Sequence, residues 1–174
     1  MSIRIALAGN PNCGKTTLFN AYTGAGKKTA NWPGVTVALS EGSLMHRGRL
    51  VHLVDTPGIY SLDPYTMEET VTRQCIRDQK ADVIIHVADA LLLERSLFLT
   101  MQLLAEGRPM VLALNMMDLV RERGMDIDTE GLSRLLGGIP VIPPPPVPIR
   151  ITPSRWTRPP SPPESPAGGW GELP

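Results

Sequence analysis

Eight residues near the N-terminus, Gly9 to Thr16 within GNPNCGKTT, read G-x-x-x-x-G-K-T. A short apolar run, Ile3 to Ala8, precedes them, and LFNAYTG follows with helical apolar spacing, so the segment predicts a strand, a glycine-rich turn and a helix over Lys15 to Thr23. A strand that passes through such a turn into a helix commits the chain to α/β architecture, because the helix has to pack back across the sheet it has just left.

The rest of the chain up to about Ile142 continues that alternation. Leu50 to Val54, Val83 to Ala88 and Met110 to Leu114 read as further buried strands, and Val35 to Leu44 as an edge strand. Helical patterns fall at about Glu68 to Gln79, Leu97 to Glu106 and Thr129 to Leu136. The expected fold is a mostly parallel sheet flanked by helices, in one domain, which suits a chain of 174 residues.

After Ile142 the composition changes. The run from Pro143 to Pro174 holds twelve of the eighteen prolines and shows almost no apolar periodicity. Proline lacks a backbone donor and fixes φ, so residues 143–174 are expected to form a disordered or polyproline-like tail, separate from a folded unit at 1–142. Docking to SH3-like or WW-like modules is a minor alternative for such a tail.

Composition narrows the choice of ligand. Lysine plus arginine equals aspartate plus glutamate at 17 each, so no overall basic field points to nucleic acid or an anionic membrane. Any anion must be held locally. The glycine-rich turn can do this: its backbone N–H groups and the helix N-terminus wrap phosphate oxygens, Lys15 reaches the β/γ oxygens, and Thr16 offers its hydroxyl to Mg²⁺.

Two later motifs specify the nucleotide. In DTPGIYSL, Asp55 ends a strand where it can reach a magnesium-bound water, and Gly58 can turn its N–H to a γ-phosphate. In ALNMMDLV, Asn115-Met116-Met117-Asp118 ends another strand, and Asp118 can accept from the N1 and N2 donors of guanine, a pair that adenine lacks. Between the turn and these motifs NWPGVTV supplies Thr36, placed to give Mg²⁺ a second hydroxyl.

Together GNPNCGKTTLFNAYTG, NWPGVTV, DTPGIYSL, LERSLFLTMQLLAEG and ALNMMD, in that order, resemble the cytoplasmic G domain of ferrous iron transport protein B, a bacterial Fe²⁺ transporter, over about Ile3 to Ile142. The resemblance implies a Ras-like P-loop GTPase fold, GTP hydrolysed to GDP with Mg²⁺, and attachment to a helical spacer and a membrane domain that carries iron. Carried onto this chain, the nucleotide contacts are Gly9, Asn10, Asn12, Cys13, Gly14, Lys15, Thr16, Thr17, Thr36, Asp55, Gly58, Asn115, Met116 and Asp118. Thr16, Thr36 and Asp55 would serve Mg²⁺. The resemblance further implies that Asn12 helps hold a K⁺ beside the phosphates, with carbonyls near Ala30 and Trp32, so that Asn12, Lys15, Thr36 and Gly58 form the catalytic set. Ile59 stands where Ras-like switches place a water-orienting glutamine, so intrinsic turnover is expected to be slow.

The remaining polar residues carry less. Cys13 and Cys75 lie far apart without a C-x-x-C spacing, and His46, His52 and His86 have no metal-ligand spacing. The N-terminus lacks a signal-peptide core, and VIIHVADALLL is too short and too polar to cross a bilayer, so a cytoplasmic location is expected. Departures from the pattern lie at the C-terminal end. GGIPVI runs into PPPPVP where a second guanine-contacting loop and a closing helix are expected, as if the reading frame had shifted. Loss of that helix would leave one face of Val83 to Ala88 and Met110 to Leu114 partly uncovered. Two functional classes therefore stand: a GTP-hydrolysing switch, and a non-catalytic fragment that binds guanine nucleotide weakly. A ribosome- or tRNA-associated GTPase would need a basic RNA module that the sequence does not show.

Overall fold

The computed structural model describes residues 2–24, 28–31, 38–77 and 81–144. Among the described residues seven strands form one sheet: β1 (Ile3–Gly9), β2 (Lys28–Asn31), β3 (Ala38–His46), β4 (Arg49–Asp55), β5 (Val83–Asp89), β6 (Met110–Asn115) and β7 (Val141–Ile142). Their spatial order is β2-β3-β4-β1-β5-β6-β7. The β2–β3 and β3–β4 pairs are antiparallel, and the other four pairings are parallel. The helices are α1 (Lys15–Thr23), α2 (Met67–Arg77), α3 (Leu93–Ala105), α4 (Met117–Glu122) and α5 (Thr129–Leu135), with a 3-10 turn over Ala90–Leu92.

Strand β1 lies centrally because both its faces are apolar: Ile5 to Ala8 are buried, and alternate side chains enter opposite layers. Ile5 and Leu7 join Leu18, Phe19, Val51, Leu53, Ile85 and Val87 on the α1 side. Ala6 and Ala8 join Val71, Ile76, Ile84, Leu99, Leu103 and Leu112 on the other, under α2 and α3. This two-sided packing puts the C-terminal ends of β1, β4, β5 and β6 along one rim, which is where open α/β sheets bind ligands.

Several expected boundaries move. The strand expected over Val35 to Leu44 is β3, and it is not at the edge, because β2 pairs along its outer side from Lys28↔Glu41 to Asn31↔Ala38. Helix α3 begins at Leu93 rather than Leu97: the Asp89 carboxylate accepts from the Leu91 N–H at 2.9 Å and opens a 3-10 turn that runs directly into the helix. Helix α4 and strand β7, not anticipated from the sequence, are six and two residues long. Of the strands expected to be partly uncovered, Val83 is half-buried, whereas Ile84 to Ala88 and Met110 to Leu114 are all buried. On the α1 side Ile85, Val87 and Ala113 share a cluster with Cys13, Leu18 and Phe19. Of the expected tail, residues 145–174 lie outside the described residues.

Candidate functional site

The turn from β1 into α1 has a backbone that few side chains tolerate. Asn12 and Gly14 both have positive φ, 63° and 89°, and asparagine and glycine are the residues that take this conformation at least cost. At Gly14 a Cβ would also lie 2.1 Å from Asn115 Nδ2, and at Gly9 it would lie 2.4 Å from the Val87 carbonyl oxygen. Both glycines of the motif are therefore required by close approach. The Asn115 amide donates to the Cys13 carbonyl at 2.9 Å, which ties the end of β6 to the turn.

Beneath this turn lies a cavity of about 470 Å³, lined by Asn10, Pro11, Asn12, Gly14, Lys15, Thr16, Thr17 and Gly58. Lys15 is buried, and its Nζ donates to Asp55 Oδ1 at 2.5 Å and to the Thr56 carbonyl. Thr16 Oγ1 donates to the other carboxylate oxygen, Asp55 Oδ2, at 2.8 Å. A buried ammonium, a hydroxyl and a carboxylate thus meet at the mouth of α1. Asn10 Oδ1 is buried there without a hydrogen-bond partner among the described residues.

The segment after Asp55 closes one wall. Thr56 N–H and Oγ1 both donate to the Leu7 carbonyl, and the Ile59 N–H donates to the Gly9 carbonyl at 3.0 Å. Gly58 lies so close to the turn that a Cβ would stand 2.8 Å from Pro11 Cα. Ile59, 2 % exposed, turns into the core rather than toward the cavity. Burial in that core accounts for an apolar residue at this position.

The expected site residues are thus largely brought together. Asn10, Asn12, Gly14, Lys15, Thr16, Thr17 and Gly58 line the cavity, Asp55 touches two of them, and Gly9 and Cys13 support the turn from behind. Met116, with φ 62°, caps α4, and Asp118 sits exposed in that helix's first turn, outside the cavity lining. Thr36 and Trp32 lie outside the described residues, and Ala30 falls within β2. Pro11 and the Thr56 carbonyl were not anticipated. Pro11 occupies a variable position of the motif, and a backbone carbonyl leaves no trace in a sequence.

Burial pushes the Cys13 thiol up from its ordinary value, which keeps it protonated, and its carbonyl serves Asn115. Among the described residues no group of three or more His, Cys, Asp or Glu side chains could hold a metal ion, and no helix is long and apolar enough to cross a membrane.

A family model described as ferrous iron transport protein B matches residues 3–145. The chain is 50 % identical over 135 residues to the Fe(2+) transporter FeoB of Legionella pneumophila (strain Paris), an alignment covering 75 % of this chain and 18 % of that protein. It is 46 % identical over 145 residues to the Fe(2+) transporter FeoB of Salmonella typhimurium, covering 81 % of this chain and 19 % of that one. Among solved structures, the cytosolic domain of the T. maritima FeoB iron transporter in a GDP form superposes with a TM-score of 0.77 at 42 % identity, over 81 % of this chain and 55 % of that chain. The chain therefore spans about a fifth of the length of the curated relatives it matches.

Proposed function

The chain belongs to the ferrous iron transport protein B family, within which it matches the cytosolic G domain, and from that premise we propose that it binds GTP and GDP and hydrolyses GTP slowly. The observation that carries this reading is the meeting of Lys15, Thr16 and Asp55 over the cavity beneath the Gly9–Thr16 turn. Lys15 would exchange its contacts with Asp55 and Thr56 for β/γ-phosphate oxygens, and the turn's N–H groups would take the remaining phosphate charge. Asp118 would read guanine, with Asn115 holding the base-side loop to the turn and Met116 shaping the approach to α4.

Oxygen donors at Thr16 and Asp55 fit Mg²⁺, and Thr36 would add a third. When bound, Mg²⁺ supplies charge neutralisation across the β- and γ-phosphates. Asn12 lines the cavity, and an amide oxygen is a hard donor of the kind that fits K⁺, which would supply the positive charge that an arginine provides in other switches. Gly58 would aim its N–H at the γ-phosphate, so that release of phosphate frees the segment that follows. With Ile59 buried, no side chain of that residue can orient water, and hydrolysis relies on backbone groups and the cation.

In the longer protein this unit, residues 1–142, would report nucleotide state through a helical spacer to an iron-carrying membrane domain, from the cytoplasmic side. Residues 143–174 would take no part. The test is a fluorescence titration of the purified chain with methylanthraniloyl-GDP and -GTP plus Mg²⁺, with ATP as competitor, followed by phosphate release in KCl and in NaCl. Saturable binding that ATP does not displace, with faster release in KCl lost in Asn12→Ala, is the expected result. Binding without turnover in either salt would instead identify a non-catalytic nucleotide-binding fragment.

A further inference from the structure

The segment after Gly58 is held from two directions. On the cavity side Gly58 rests on Pro11, and the Ile59 N–H is bonded to Gly9. On the far side α3 holds it, chiefly through Gln102. The side-chain oxygen of Gln102 accepts from the Leu62 N–H at 2.8 Å, and its Nε2 donates to Ser61 Oγ at 3.1 Å and to Asp63 Oδ2 at 3.3 Å. Ser61 and Asp63 also bond each other, at 3.1 Å through side chains and 3.0 Å from the Asp63 N–H to Ser61 Oγ. About two turns earlier on the same helix, the Arg95 guanidinium lies 4.0 Å from the centre of the Tyr60 ring.

Resting on the reading that this chain binds GTP, we propose that Gln102 is a positioning residue that sets the chain from Ser61 to Asp63, and through it Gly58, for contact with a γ-phosphate. An amide both donates and accepts, so a single side chain fixes a backbone N–H and two side-chain oxygens at once. Leu62 follows Gly58 closely in the chain, and Ile59 and Leu62 are both buried, so a displacement at Leu62 is carried to Gly58 rather than absorbed by a loose loop. Among the described residues the hydrogen bonds of the Gln102 side chain go to Leu62, Ser61 and Asp63, none of which lines the cavity. Its effect is confined to ligands that depend on Gly58.

That confinement gives the test. GDP lacks the phosphate that Gly58 would meet, so its affinity depends on the turn, Lys15 and Asp118, whereas a non-hydrolysable GTP analogue also needs the segment in place. Gln102→Met keeps the length and removes the hydrogen bonds. Gln102→Glu keeps the acceptor for Leu62 but sets a carboxylate against Asp63, and adding Asp63→Asn restores a donor facing it. Titrations with methylanthraniloyl-GDP and methylanthraniloyl-GppNHp should show GDP affinity within about twofold of the parent for all three. GppNHp affinity should fall roughly three- to tenfold in Gln102→Met and Gln102→Glu, and recover in the double variant. An unchanged ratio of the two affinities, or equal losses for both nucleotides, would overturn the positioning role while leaving nucleotide binding intact. A parent chain that binds neither nucleotide would overturn the GTP reading and this inference with it.

Discussion

Lys15 Nζ stands 2.5 Å from Asp55 Oδ1, and each side chain is only 7 % exposed. The residue expected to hold phosphate is therefore paired with the residue expected to serve magnesium. Both charges have left water, and neither can be removed without leaving the other uncompensated, a loss of about 3–5 kcal/mol for buried pairs.

Two substitutions at this pair should separate stability from binding. Lys15→Met leaves the Asp55 carboxylate buried beside only the Thr16 hydroxyl, so urea unfolding should show a loss of several kcal/mol together with loss of GDP binding. Asp55→Asn removes the charge on the other side but keeps the shape. It should retain GDP binding in EDTA while the gain in affinity on adding Mg²⁺ disappears, as read by fluorescence titration with and without the metal.

Asp118 offers a test of base choice. Its carboxylate is exposed in the first turn of α4, so changing it should cost little stability. Asp118→Asn replaces an acceptor with a group that can donate to the O2 of xanthine. GTP affinity should fall by about 100-fold or more, and XTP should become the better ligand in competition titrations.

Ile59 bears on whether turnover can be raised by imitation of other switches. Because its side chain is buried in the core cluster with Leu62 and Val71, a glutamine there would bury an amide instead of presenting it to water. Ile59→Gln should lower stability by about 1–3 kcal/mol and leave single-turnover hydrolysis no faster. An acceleration would show that the segment can turn residue 59 outward.

Much of this arrangement is legible in the sequence, for reasons that lie in backbone geometry and apolar patterning. A tight turn between β1 and α1 needs Gly9 and Gly14 at fixed separation, and the approaches of Val87 and Asn115 show why each position excludes a side chain. Long apolar strands such as β5 and β6 are equally plain. The short elements are not. The four residues of β2 carry no apolar alternation, so β3 was expected at the edge it does not occupy. The true start of α3 depends on a hydrogen bond from the Leu91 N–H to Asp89, inside a run whose apolar residues continue without a break. Gln102 is legible to neither period nor motif, since its partners lie about forty residues back in the chain.

His86 lies fully buried on β5, between Ala8 and Leu112 in register, with Nδ1 3.0 Å from Thr100 Oγ1 and Nε2 without a hydrogen-bond partner among the described residues. Thr100 Oγ1 already donates to the Ser96 carbonyl at 2.9 Å, and among the described residues no carboxylate is bonded to the ring, so burial acts without a compensating charge and pushes the imidazole down to about 3. An unfolded chain takes up this proton near pH 6.5, whereas the folded chain resists it until about pH 3. The unfolded state thus binds more protons across that window, so stability rises with pH there. The contribution is fully present above about pH 6.5 and is lost as pH falls toward 3, amounting to at most about 5 kcal/mol. Urea midpoints should decline through this range, and the decline should be shallower in His86→Gln, whose amide is similar in reach but does not titrate. A slope unchanged in that variant would remove His86 as the source of the acid sensitivity.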